Sequence, residues 1–92
     1  MEAQDWIAEE LARLRDLSYH DLLRVRSDGP MHRPMLTTQG TSLVLETQVV
    51  WDDSAEENVR VLVDVFDPAA RFSSGVARGD FIRAPDGSFV GE

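Results

Sequence analysis

The hydrophobic positions at the start of the chain recur every three or four residues. Ile7, Leu11 and Leu14 share one stripe within residues 5–17, as apolar side chains do on the buried side of a helix. Asp5 precedes this stripe and is a candidate N-cap. The sequence therefore predicts a helix that begins at this aspartate.

Charged residues occupy the other side of the predicted helix. Glu9 and Glu10 stand four and three residues before Arg13, a spacing at which side chains on a helix surface meet and form ion pairs. We therefore expect both glutamates on the solvent-facing side.

A second, shorter helix follows. Ser18 and Asp21 resemble a capping box, which marks a helix start directly after the serine. Gly29 and Pro30 are typical helix terminators. Residues 27–41 contain two prolines and two glycines, so they predict a connector without regular structure.

Hydrophobic and polar residues then alternate in residues 43–51 and 59–66, which are rich in valine, as in half-buried strands. If Trp51 pairs with Val59, every facing pair lies on a single apolar face. A slip of one residue would place polar side chains on that face. The pattern therefore predicts an antiparallel hairpin joined by residues 52–58.

The C-terminal residues 79–92 predict a shorter hairpin. Their sequence APDG has turn chemistry, because proline presets its φ angle and glycine accepts a positive one. In the preceding residues 67–78, Phe72 and Val76 fit either a short strand or an irregular loop.

These elements predict an α+β fold in which one or two N-terminal helices pack on one face of an antiparallel meander of three or four strands. A chain of 92 residues is one domain by length. The predicted layout has helices at about 5–26, a connector at 27–41 and the sheet at 43–92.

The predicted register also assigns the opposite face of the hairpin, where Glu46 lies across from Asp64. Facing like charges cost a few tenths to about 1 kcal/mol unless a cation lies between them. We therefore expect Arg78 or Arg83, on a neighbouring strand, beside the two acids.

Four apolar residues on that face form a candidate interaction patch: Val44, Val50, Leu62 and Phe66. Two short helices cover one face of a sheet, so the patch is predicted to be exposed unless residues 27–41 fold over it. Exposed apolar patches mark association sites, and this patch is the reason to expect a homodimer.

The loop between the two strands holds four carboxylates, Asp52, Asp53, Glu56 and Glu57. Oxygen ligands suit calcium or magnesium, but the spacing lacks the alternating ligands and central glycine of an EF-hand loop. We therefore predict a solvated turn and no metal site.

Composition narrows the class of partner. The net charge is −8, and all nine basic residues are arginine. Such a surface repels phosphate backbones and anionic membranes, so we expect neither nucleic acid nor membrane binding, while a basic protein partner fits. The chain has no cysteine and no signal-peptide pattern at its start, which predicts a soluble cytoplasmic protein.

Candidate catalytic groups are few. His20 adjoins Asp21, but neighbouring helical residues point about 100° apart, and His32 lies far away in the sequence. Glycine-rich phosphate loops, nucleophile elbows and zinc-protease motifs are absent. We therefore expect no catalytic residue and no cofactor.

The predicted function is accordingly a non-enzymatic one that acts through protein contacts, as a homodimer or as an immunity-type or inhibitor-type protein that covers a basic partner. The alternative is a small ligand-binding domain or enzyme with its pocket between the helices and the sheet.

The C-terminal half combines an acidic strand–loop–strand unit with the ending DFIRAPDGSFVGE. It resembles a small bacterial domain family of uncharacterised function. The resemblance implies a stand-alone bacterial protein and carries no active-site residues.

Overall fold

The computed structural model of the chain describes residues 2–70 and 75–92, in which two helices precede four strands. The elements are α1 (Glu2–Arg15), α2 (Tyr19–Asp28), β1 (Met31–Leu36), β2 (Ser42–Trp51), β3 (Val59–Phe66) and β4 (Ala77–Arg83). The strands form one antiparallel sheet in the order β1-β2-β3-β4. Helix α1 packs on β3 and β4, and α2 packs on β2. This is the predicted α+β architecture, with two helices and four strands.

The first helix begins earlier than its predicted N-cap. It starts at Glu2, so the prediction that Asp5 is the N-cap is wrong. Asp5 lies in the first turn, where its negative charge is favourable beside the positive end of the helix dipole. The buried stripe extends back to Ala3, which explains the earlier start.

The second helix has the predicted ends. Ser18 is its N-cap, and its Oγ accepts a hydrogen bond of 3.1 Å from the backbone N–H of Asp21. Gly29 is the C-cap with φ of 85°, and its N–H donates to the carbonyl of Arg26 at 3.2 Å. A glycine adopts this positive φ without a Cβ clash, so the helix stops there.

The predicted connector at 27–41 is wrong over Met31–Leu36, which form the edge strand β1. Pro34 lies within this strand. Proline is tolerated in an edge strand, because the side that lacks an N–H can face solvent. The Thr37 N–H donates to the Thr41 carbonyl at 3.0 Å, which closes a short turn into β2. Two prolines and two glycines therefore did not prevent a strand here.

The hairpin of β2 and β3 has the predicted register. Trp51 faces Val59, and the pairing continues to Val44 opposite Phe66. In β3 every second residue is a buried valine with 0% exposure. Burying one such side chain contributes roughly 1.5–3 kcal/mol, and this hydrophobic row lies at the centre of the core between the sheet and the helices.

The C-terminal prediction is correct in outline. Strand β4 begins at Ala77, two residues earlier than expected, and a turn with Gly87 at φ of 89° follows it. The returning arm is a single bridge between Arg83 and Phe89. Val76 lies just before β4 and outside it, whereas Phe72 falls outside the described residues.

The C-terminal segment is attached to the end of α1 by two arginines. Phe89 lies between them, with the guanidinium carbons of Arg15 and Arg83 at 4.0 and 4.4 Å from its ring centre. Arg83 also donates to the carbonyls of Arg15 and Leu17 at 3.1 and 2.9 Å. These bonds satisfy backbone carbonyls that the end of a helix leaves without partners.

One position on β4 controls how closely α1 approaches the sheet. A Cβ added at Gly79 would lie 2.6 Å from Leu11 Cδ1 and 2.8 Å from Ile7 Cγ2. Both separations are far inside van der Waals contact. The absence of a side chain at this glycine therefore allows the helix to rest directly on β4.

We expect Gly79→Ala to lower the free energy of unfolding by about 1–3 kcal/mol, because overpacking forces the helix away from the strand. Gly75→Ala is the control, since the nearest atom to its Cβ would be Asp64 Oδ1 at 3.5 Å, and its effect should stay within about 0.5 kcal/mol. Urea denaturation of both variants checks the prediction. Equal stabilities would contradict the close approach.

Candidate functional site

The face of the sheet that points away from the helices, the outer face, carries a row of charged residues. The register aligns His32, Glu46, Asp64 and Arg78 across all four strands. His32 Nε2 lies 2.7 Å from Glu46 Oε2, and Arg78 Nε donates to Asp64 Oδ1 at 2.9 Å. Each of the two facing acids therefore has its own partner on the neighbouring outer strand.

The predicted cation beside these acids is thus confirmed for Arg78 and wrong for Arg83. Arg83 faces the helices, because it pairs with the buried Val59, and its guanidinium binds the end of α1. His32 was predicted to lie in a connector, whereas it belongs to the edge strand β1 and pairs with Glu46.

The structure divides the predicted patch into two parts on either side of the charged row. Val44 faces Phe66 on one side. Val50 and Leu62 lie on the other side, close to Ile82 and the side chain of Arg60. All four patch residues are half-buried, so they do not form one continuous exposed surface.

A more exposed apolar group lies at one corner of the outer face. Pro34 of β1 faces Val44, which in turn faces Phe66. Leu36, two residues along β1 on the same face, is 66% exposed. We call Pro34, Leu36, Val44 and Phe66 the apolar corner. Half of it comes from the segment that was expected to be a connector.

Residues 27–41 do not fold over the patch, because β1 extends the sheet sideways. The helices contact β2, β3 and β4 through the buried, helix-facing residues of the strands. In the part of the chain that the structure describes, no helix lies over the outer face. The described helices therefore leave this face open to contact with another molecule.

A second ionic group lies at the far end of the outer face. Arg60 binds two acids, with its Nε at 2.9 Å from Asp52 Oδ1 and its Nη1 hydrogen-bonded to Asp80. The surface thus alternates between apolar groups and carboxylates that are paired with arginine or histidine side chains.

The acidic loop between β2 and β3 is a turn, as predicted. Asp53 Oδ1 accepts from the Glu57 N–H at 2.9 Å, and the Asp52 N–H donates to the Asn58 carbonyl at 2.8 Å. The Tyr19 hydroxyl of α2 donates to the Glu57 carbonyl. Among residues 2–70 and 75–92, no group of three histidine or carboxylate side chains is placed to hold a metal ion.

The main polar site that the sequence analysis missed lies on the other side of the sheet. A cavity of about 230 Å³ between α1 and the first two strands is lined by Glu10, Arg13, Met31, His32, Arg33, Leu45 and Thr47. The side chain of Glu10 is only 6% exposed. The expectation that this glutamate faces solvent is therefore wrong.

Glu10 is held by three hydrogen bonds. Arg13 donates from Nε and Nη2 at 2.9 and 3.0 Å, as its spacing of three residues predicts. Thr47 Oγ1, on a residue with 1% exposure, donates at 2.7 Å. The bonds from Arg13 are the main cause that lowers the pKa of Glu10; they and the bond from Thr47 outweigh burial, which raises it. A buried carboxylate therefore stays ionised beside its arginine.

Two signals in the sequence could have identified this site. Glu10 lies three residues after Ile7 and four before Leu14, so it occupies the apolar stripe itself. Thr47 is the polar residue on the helix-facing side of β2, where its neighbours are Leu45 and Val49. Two polar residues at core positions on facing elements are expected to bond to each other.

The histidines do not share a site. His20 lies on α2, with its ring edge-on to Tyr19 at 6.2 Å between centres. His32 belongs to the outer face, on the opposite side of the sheet. Trp51 is half-buried against the core, and the Arg26 guanidinium lies 4.7 Å from its ring centre.

Comparison of the chain with family models, curated proteins and solved structures finds no match. The resemblance of the C-terminal half to a bacterial domain family therefore stays a prediction. Within the described residues, neither helix has the length and apolarity needed to cross a membrane.

We expect Glu10→Gln to lower the free energy of unfolding by about 1–3 kcal/mol at neutral pH, because it weakens charge-assisted hydrogen bonds. Since the folded pKa of Glu10 is lowered, its contribution is present above the pKa of the unfolded chain and is lost as the pH falls through the folded value. The difference from the wild type should therefore shrink in acid. Urea denaturation across the pH range measures it.

Glu9→Gln is the matched control, because it removes a neighbouring carboxylate that is exposed. Its stability should follow that of the wild type at every pH. If Glu10→Gln behaved in the same way as Glu9→Gln, the hydrogen bonds of the buried carboxylate would contribute nothing to stability.

Proposed function

We propose that the protein is a non-enzymatic cytoplasmic protein that binds a basic protein partner through the outer face of its sheet. The observation that carries this proposal is the apolar corner, which lies on a face that no described helix covers. A sheet buries one face against its own helices and leaves the other for a partner.

The composition of the outer face supports a protein partner. The apolar corner, with Leu36 at its most exposed point, supplies hydrophobic area. Beside it lie the charged row and the Asp52–Arg60–Asp80 group. Apolar area bordered by polar and charged residues matches the composition of a specific protein interface.

Charge favours a basic partner over a second copy of the chain. Each copy carries a net charge of −8, so two copies repel, whereas a basic surface is attracted and steered toward the acidic one. On the strands of the outer face, the carboxylates Glu46, Asp64 and Asp80 outnumber the arginines Arg60 and Arg78.

The free edge of β1 is also poorly suited to pairing with a second copy. The Thr37 N–H bonds to β2 through the Thr41 carbonyl, and bonding alternates along an antiparallel strand. The backbone of Pro34 therefore faces outward, where it has no N–H to donate. A proline at this position weakens edge-to-edge association, which leaves the outer face as the interaction surface.

We expect Leu36→Glu to weaken binding of the partner by about tenfold or more, because it places a charge in the apolar part of the interface. Met31→Glu is the control, because Met31 lies on the same strand as Leu36, is 50% exposed and receives the same added charge. Its side chain, however, lies on the helix side of the sheet. Immobilised wild type and immobilised Met31→Glu should capture the same proteins, and immobilised Leu36→Glu should not capture them. The affinities of the captured proteins can then be measured by calorimetry.

Capture of the same proteins by all three chains, or of acidic proteins only, would contradict the proposal. Circular dichroism of the two variants establishes that both are folded, since each substitution lies at an exposed edge position.

We also expect a monomer of 10.3 kDa in size-exclusion chromatography with light scattering, at low ionic strength where repulsion between copies is strongest. A mass twice as large would instead favour the homodimer, and Leu36→Glu would then be expected to dissociate it.

The alternative function, a ligand-binding domain with a pocket between helices and sheet, is favoured by one observation. This is the cavity beside Glu10, which lies where that alternative places the pocket.

A further inference from the structure

The cavity beside Glu10 brings two arginines together in a chain that is otherwise acidic. Arg13 comes from α1 and Arg33 from β1, and both line the cavity. Arg33 faces the helix side of the sheet because it pairs with the buried Leu45. Its charge is near enough to Glu10 to contribute to the lowering of the pKa of that carboxyl. Two cations from separate elements thus converge on one space.

The orientation of Arg13 is set by a buried carboxylate. Glu10 accepts from its Nε and Nη2, and the Thr47 hydroxyl holds Glu10 in turn. A guanidinium has five N–H donors, so two engaged donors leave three for a ligand. Because its plane is fixed before a ligand arrives, little side-chain freedom is lost on binding. Glu10 and Thr47 are therefore positioning residues for Arg13.

Arg33 provides free donors on the other side of the cavity. Within residues 2–70 and 75–92 it has no salt-bridge partner and no side-chain hydrogen bond. A guanidinium with all donors available forms parallel hydrogen bonds to the two oxygens of a planar anion.

The charge and size of the cavity define the class of ligand. Arg13 and Arg33 contribute two positive charges and Glu10 one negative charge, which leaves a surplus of +1 that suits a monoanion. His32 is not counted, because it is already paired with Glu46. The volume of about 230 Å³ lies below the roughly 300–1,000 Å³ of pockets for drug-sized ligands. Met31 and Leu45 add an apolar wall, which suits a short alkyl chain.

We propose that this cavity binds a carboxylate group on a short aliphatic chain, held between the guanidinium groups of Arg13 and Arg33. The site lies on the helix side of the sheet, away from the apolar corner, and shares its lining residue His32 with the charged row. Its ligand is either a free small carboxylic acid or the acidic side chain of a polypeptide, since both present the same planar group.

The test is a titration of the ¹⁵N-labelled full chain with sodium propionate, followed by NMR at constant ionic strength. Saturable shifts should appear at the Nε–H groups of Arg13 and Arg33 and at the backbone N–H of Thr47. Arg33→Gln should weaken binding by about tenfold or more, because it removes charge-assisted hydrogen bonds. Arg33 is exposed, so this variant folds as the wild type does.

Arg24→Gln is the matched control, because it removes one positive charge from an exposed ion pair with Asp21 on α2. Its affinity for propionate should stay within about twofold of the wild type, since screening limits the effect of distant charges. Equal affinities of Arg33→Gln and Arg24→Gln, or shifts that rise linearly without saturation in the wild type, would overturn the proposal.

Three further ligands test the chemical class. Propanol should give no saturable shift, because it lacks the charge. Inorganic phosphate should bind more weakly than propionate, because it has no alkyl chain to contact Met31 and Leu45; tighter phosphate binding would overturn the carboxylate assignment. N-acetylglutamate N-methylamide separates the two sources, since tighter binding than propionate assigns an acidic side chain and weaker binding a free acid. Leu36→Glu should leave all these affinities unchanged. A failure of the carboxylate-site proposal is therefore distinguishable from a failure of the proposed outer-face interaction.

Discussion

The antiparallel pairing of β2 with β3 is the interaction on which the other elements depend. With Trp51 opposite Val59, all four valines of β3 point to the helix side and are fully buried. This apolar surface is what α1 and α2 cover. A shift of one residue would turn the valines toward solvent, so the helices would lose their packing surface and the acidic loop would lose its place as the turn.

The same register determines the composition of the outer face. It brings Glu46 and Asp64 directly opposite each other, an arrangement that destabilises a sheet unless cations are near. The two edge strands supply hydrogen-bonding partners for these acids, His32 from β1 and Arg78 from β4. The sheet therefore requires both outer strands to keep its central hairpin electrostatically balanced. The charged row that results separates the apolar corner from Val50 and Leu62.

The two faces of β1 have different chemical roles. Its outer side contributes Pro34 and Leu36 to the apolar corner, while its helix side contributes Arg33 to the cavity beside Glu10. One edge strand of six residues thus completes both candidate sites. Helix α1 covers β3 and β4 and not β1, which leaves space for the cavity. Glu10 occupies a core position on α1 at the margin of that space, where burial alone would disfavour its charge and Arg13 and Thr47 compensate for it.

Features that depend on neighbours along the chain could be predicted from the residues alone. These are the Ser18 cap, the helix stop at Gly29, and the hairpin register, which follows from the period of two in β2 and β3. The edge strand β1 and the burial of Glu10 depend on contacts between distant parts of the chain. Residues 31–36 were predicted to belong to a connector, because proline and glycine favour loops. They form a strand, because the free edge of β2 can pair with them. Glu10 was predicted to lie on the surface, because it can pair there with the charged side chain of its neighbour Arg13. Its place in the apolar stripe with Ile7 and Leu14 favours burial, but the hydrogen bond from Thr47, 37 positions away, forms only when α1 packs against the sheet.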